Sequence, residues 1–110
     1  MQRLKDKVTI VTGASSGIGI GIAEVFAEEG ARVVCVARRE REGEAVAASI
    51  RERGGQAVFL RCDVANESDV DTMVSDTVRQ FGRVDVLVNN AGVNLDRKST
   101  RLNSSHGYIS

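Results

Sequence analysis

A glycine-rich turn between an apolar run and a helix pattern constrains this chain more than any other feature. Residues 12–19 read TGASSGIG and directly follow Val8-Thr9-Ile10-Val11. Ile18, Ile22, Val25 and Phe26 then fall at i, i+4, i+7 and i+8, one face of a helix. The segment predicts a strand, a tight turn and a helix that begins at the turn. Gly13 can take backbone angles closed to other residues. Gly17, lacking a Cβ, lets a ligand approach the main chain, and Gly19 lets the helix pack close to the strand. The free N–H groups of the first helical turn, with the positive end of the dipole, then face an anion. A dinucleotide pyrophosphate fits that description. Gly13, Gly17, Ile18 and Gly19 would present backbone to it, and Ser15 or Ser16 a hydroxyl to a ribose or phosphate. The competing role for such a serine is to cap the helix.

The rest of the chain alternates short apolar runs with helical stretches. Lys7–Thr12, Arg32–Ala37, Gln56–Arg61 and Val84–Val88 read as strands. Gly30 ends the first helix. A charged helix over Arg41–Arg53 carries Val46 and Ile50 on one side and stops at Gly54-Gly55. Asn66 with Asp69 three residues on is a helix-start signal. Val70, Met73, Val74, Val78 and Phe81 form that helix's apolar face, and Gly82 ends it. Near-continuous apolar strands alternating with helices imply a parallel sheet covered on both faces. Right-handed crossovers make this an α/β fold, a Rossmann-type doubly wound sheet of four strands, incomplete.

The glycine spacing is specific. The general fingerprint GxGxxG fails, because Ile22 and Glu24 stand where a glycine or alanine is needed, and GxxxxGK[ST] is absent. Two further blocks accompany the turn. Asn89-Asn90-Ala91-Gly92 follows the run Val84–Val88, and Asp63-Val64 follows Ala57–Leu60. TGxxxGxG, the aspartate and NNAG, in this order, resemble the short-chain dehydrogenase/reductase family. The resemblance implies strand order 3-2-1-4, with Val84–Val88 left as an edge that should recruit other chains and lower solubility. It implies hydride transfer between a nicotinamide dinucleotide and a small-molecule carbonyl or alcohol, and a homo-oligomer in the intact parent. It further implies that Asp63, with the Val64 backbone nearby, reaches the adenine. Asn89 would steady the central strands, partly through Thr12, while its backbone borders the cofactor, and Ala91 and Gly92 would leave room beside the nicotinamide-side ribose.

The end of the second strand decides between NAD and NADP. A carboxylate there would bind both ribose hydroxyls and repel a 2′-phosphate; this chain has Ala37-Arg38-Arg39 and no acid before Glu40. A guanidinium suits a 2′-phosphate by charge and by its forked donors. NADP is therefore favoured over NAD, with Arg38 leading and Arg39 second. Against it, the basic residue that the family sometimes adds inside the glycine loop is Ser16 here.

A proton donor for the carbonyl is not found. The resembled family supplies a Tyr-x-x-x-Lys pair with an upstream Ser. The only tyrosine, Tyr108, lies two residues before the end, and Ser104 and Ser105 stand too close to it. No catalytic residue is assigned, and the chain alone is expected to be inactive. Residues 96–106, DRKSTRLNSSH, back-translate in frame to a common sequencing-library adapter. Residues 1–95 thus read as the dinucleotide-binding part of a domain, and residues 96–110 as a non-native tail from which no fold is inferred.

Residues 1–95 carry 12 Lys/Arg and 14 Asp/Glu, which gives no basic surface for nucleic acid. No apolar run approaches a membrane span and no secretory signal opens the chain, so a cytoplasmic protein is expected. Cys35 and Cys62 have no metal-ligand spacing and read as buried free thiols, a disulfide between neighbouring strands being the alternative. Besides the truncated reductase, two readings remain: a non-catalytic nucleotide-binding module and a purely structural fragment.

Overall fold

The computed structural model describes residues 3–90 and the backbone of Gly107–Ile109. The elements run β1 (Val8–Thr12), α1 (Gly17–Glu28), β2 (Arg32–Ala37), α2 (Glu40–Glu52), β3 (Gln56–Arg61), α3 (Glu67–Phe81), β4 (Val86–Val88) and β5 (Gly107–Ile109). All pairings are parallel and the order is β3-β2-β1-β4-β5. The expected order 3-2-1-4 is therefore present, with a fifth strand beyond it.

That strand corrects one expectation: β4 is not an edge, because Val86, Leu87 and Val88 align with Gly107, Tyr108 and Ile109. The physical reason is the row of unpaired backbone groups that β4 offers to any extended segment within reach. Ala91 and Gly92, and residues 96–106, lie outside the described residues.

Alternation along the strands divides the interior into two cores. Ile10, Val34, Val36 and Leu87 pack with Val70, Met73 and Val74 of α3. Val11, Val33, Cys35 and Ala57 pack with Ala23 of α1 and Val46, Ala47 and Ile50 of α2. Helices α1 and α2 therefore cover one face and α3 the other. Thr9 and Thr12, though polar, are fully buried within β1, as expected of a central strand in a sheet covered on both faces. Each helix ends on a glycine with positive φ: Gly30 at 92°, Gly54 at 89° and Gly82 at 88°.

The apolar face expected of α1 needs correction. Ile18 is 73% exposed and Val25 53%. The residues α1 buries are Gly19 and Ala23, with Ile22 and Phe26 partly buried. Small residues let the helix axis come close to the sheet, and this rotates Ile18 and Val25 outward. Val78 of α3, also expected inside, is 42% exposed.

The thiols are free and buried. They do not meet, although β2 and β3 are neighbours. Cys35 pairs in register with Phe59, and Cys62 lies three residues beyond Phe59, so side-chain alternation sends it to the opposite face. Cys35 belongs to the α1/α2 core and Cys62 to the α3 core.

Candidate functional site

Strand register brings four segments to one level. Thr12 aligns with Val36, Val11 with Val88, and Ala37 with Arg61. Gly13, Arg38, Cys62 and Asn89 each follow one of these strands at its carboxyl end, where ligands bind in open parallel sheets.

The glycine turn is held from several sides. Gly13 has φ 65°, the left-handed region where a Cβ is unfavourable. The Ala14 N–H donates to the Val36 carbonyl at 3.1 Å, tying the turn to β2. The Gly13 carbonyl accepts from the Ser16 N–H at 3.2 Å, the Ser16 hydroxyl at 2.9 Å and Asn90 Nδ2 at 3.3 Å. Asn90 Nδ2 also donates to Ser16 Oγ at 3.4 Å. Thr12 Oγ1 lies 3.3 Å from both the Val88 carbonyl and Asn89 Oδ1. The expected link between Thr12 and Asn89 is thus present.

Two serine roles now separate. Ser16 is the N-cap of α1 with extended backbone, yet its side chain makes no cap hydrogen bond. Its proton goes to the Gly13 carbonyl instead, so the capping role does not hold. Ser15 is partly exposed and lines the adjoining cleft. The first turn of α1 contains no acidic residue. Its amide donors and the positive end of its dipole remain available for an anion.

The three glycines differ in purpose. A Cβ on Gly17 would meet nothing within 4 Å, so the helix start is open there. A Cβ on Gly19 would strike the Gly13 carbonyl and come within 2.9 Å of Asn90 Nδ2. Gly19 is therefore required by the turn folded over it rather than by the strand. Ile18 contributes its backbone to this turn while its side chain stands in solvent.

A cleft of about 440 Å³ adjoins the turn and is lined by Gly13, Ser15, Ser16, Ala37, Arg38, Arg39, Cys62, Asp63 and Val64, among others. It brings together most of the residues singled out in the sequence. Arg38 and Arg39 are both exposed at its rim, and Arg39 is also the N-cap of α2. Asp63 is held in place: its N–H donates to Asp69 Oδ2 and its own Oδ1 accepts from the Ala65 N–H, both at 3.0 Å. Among the described residues it is the cleft's one carboxylate.

Cys62 sits on the inner wall. Burial pushes its thiol up from 9.0 to about 11; the carboxylates of Asp69 and Asp63 add to this and Arg61 opposes it. Cys35 is pushed up to about 12, again chiefly by burial. Both stay protonated near neutral pH and are poor nucleophiles. Asn90 was not singled out as a site residue, although it stands inside the NNAG block. Its side chain reaches a glycine 77 positions away, a contact no local pattern encodes.

An uncapped helix start, the glycine turn and the guanidinium groups of Arg38 and Arg39 thus stand at one end of the sheet, a donor set suited to an anion. The family model for short chain dehydrogenases matches residues 7–108. The chain is 45% identical over 93 residues to a 3beta-hydroxysteroid dehydrogenase of Mediterraneibacter gnavus, covering 84% of this chain and 34% of that protein. It is 51% identical over 90 residues to an L-fucose dehydrogenase of Oryctolagus cuniculus, covering 82% and 30%. The crystal structure of a hydroxysteroid dehydrogenase from Escherichia coli superposes with a TM-score of 0.80 at 40% identity, over 84% of this chain and 39% of that one. The chain spans about a third of the length of the curated relatives it matches. No helix among the described residues is long and apolar enough to cross a membrane. By these similarities, and by the turn, cleft and strand order that underlie them, the chain belongs to the short-chain dehydrogenase/reductase family.

Proposed function

We propose that this chain is the cofactor-binding part of an NADP-linked oxidoreductase that reduces a carbonyl or oxidises an alcohol. The observation that carries the choice of NADP is the pair Arg38 and Arg39 on the same cleft as the glycine turn, with no carboxylate between the end of β2 and Glu40. Bound there, the dinucleotide supplies the hydride chemistry. The chain's residues hold it: the α1 amides and Gly13–Gly19 take the pyrophosphate, Ser15 offers a hydroxyl, and Arg38 and Arg39 take the 2′-phosphate. Asp63 and the Val64 backbone take the adenine. NAD is the alternative cofactor, since Ser16 stands where a basic residue of the glycine loop would add to the hold on a 2′-phosphate.

Two relatives named for a hydroxysteroid and for a sugar resemble the same stretch to similar degrees. What this stretch shares with both is therefore the cofactor site, and substrate choice belongs elsewhere. We read residues 1–95 as this cofactor part and residues 96–110 as the translated adapter. The Ser and Tyr-x-x-x-Lys set then belongs to native sequence following Leu95, and this chain alone has no turnover. Source DNA read across codon 95 tests this: an open frame reaching Ser and Tyr-x-x-x-Lys supports it, whereas genomic DRKSTRLNSSH and a stop codon overturns it in favour of a non-catalytic binding module.

Arg38→Asp tests the cofactor. In calorimetric titrations of the 110-residue chain, the variant should lose NADP affinity by at least about tenfold and gain NAD affinity relative to it. An unchanged NADP-to-NAD ratio removes Arg38 from the site.

A further inference from the structure

We propose that Asn90 is a positioning residue of the phosphate cradle, holding the glycine turn in the shape that keeps the helix start open. The inference rests on the cofactor reading above and concerns how the site is built.

The carboxamide of Asn90, one residue past Asn89 at the end of β4, donates to the Gly13 carbonyl at 3.3 Å and to Ser16 Oγ at 3.4 Å. The Ser16 hydroxyl in turn donates to the same carbonyl at 2.9 Å. Asn90 Nδ2, Ser16 Oγ and the Gly13 carbonyl thus close a triangle of hydrogen bonds. An amide nitrogen has two protons and no acceptor capacity, so Ser16 Oγ must accept from Asn90 and spend its own proton on Gly13. This fixes the hydroxyl turned toward Gly13, away from the N–H groups of α1 that an N-cap serine ordinarily serves. Those amides remain for a phosphate. Gly19 lies directly beneath the triangle, where a Cβ would approach both Gly13 and Asn90. The triangle ties the turn after β1 to the end of β4 across 77 residues of sequence.

Asn90 and Asn89 have different roles. Asn89 engages Thr12 inside the sheet, whereas Asn90 acts on the turn itself. It makes Ser15, and not Ser16, the hydroxyl available to a ligand.

The test compares the wild-type 110-residue chain with Asn90→Ala and Asn90→Asp. Asn90→Asp keeps the size but sets an acceptor against the Gly13 carbonyl. Two ligands are titrated: NADP, and adenosine 2′-phosphate, which lacks the pyrophosphate. Amide exchange of Ser16 is followed without ligand, because its N–H binds the Gly13 carbonyl at 3.2 Å. Both variants should weaken NADP about tenfold, leave adenosine 2′-phosphate within about twofold, and speed Ser16 exchange at least about fivefold. Equal weakening of both ligands, or of neither, overturns the proposal. If wild-type chain takes up no dinucleotide, the proposed function falls, and Ser16 exchange alone decides here: faster exchange in the variants supports the clamp, unchanged exchange overturns it.

Discussion

Helices α1 and α3 both begin just past the carboxyl end of a strand, behind a polar residue with extended backbone. Ser16 has φ −101° and ψ 163°, and Asn66 has φ −104° and ψ 114°. The likeness ends there. Asn66 Oδ1 accepts from the Asp69 N–H at 3.1 Å, and Glu67 and Asp69 place negative charge in the first turn. That helix start is satisfied by its own chain. Ser16 donates backward to Gly13, and its first turn contains no acid. A helix start that completes itself serves folding, whereas one left incomplete on an exposed cleft is suited to a ligand.

Changes at the two starts should have opposite signatures. Gly19→Val gives the largest effect, since its side chain would enter the space of the Gly13 carbonyl and Asn90. NADP affinity should fall at least about 100-fold, and stability by about 1–3 kcal/mol from overpacking, read by calorimetry and by denaturant titration. Gly17→Asp should divide the two properties. Its side chain has open space, so the carboxylate occupies the phosphate position and NADP affinity should drop about 30-fold, while the helix dipole keeps the melting temperature equal or higher. A parallel loss of stability would mean that the α1 start is not an open anion site.

Asn66→Ala should do the reverse, costing about 1 kcal/mol in denaturant titration with NADP affinity held within about twofold. Ser16→Ala should cost less stability than Asn66→Ala, because no cap is lost.

Alkaline pH gives the smallest contrast. The Cys62 thiol is pushed up to about 11 against an ordinary 9.0. The unfolded chain therefore gives up this proton first as pH rises. The stability linked to Cys62 is fully present below pH 9 and is lost as pH climbs to about 11. Its thiolate would form beside Asp63 and Asp69, at the entry to α3. Melting temperature should fall across that window, and Cys62→Ala should flatten part of the fall, leaving the part owed to Cys35.

Much of this was legible in the sequence because glycines punctuate every helix and the strands are nearly unbroken apolar runs. The turn, β2, β3 and the Asn66 signal were found where expected. What escaped depends on partners distant in sequence. Spacing alone put Ile18 and Val25 on the inner face, but the sheet accepts Gly19 and Ala23 there. Strand adjacency alone would bring Cys35 and Cys62 together, but register sends them to opposite faces. The pairing of β5 with β4 and the reach of Asn90 to Gly13 have no local signature at all.

The most direct test is an amide chemical-shift titration of the 110-residue chain with NADP. The account predicts large shifts at Gly17–Ile20, Arg38, Arg39 and Asp63, and none at Glu67, Ser68 or Val70 in α3. Shifts centred on the start of α3, or an absence of shifts at Gly17–Ile20, would contradict it.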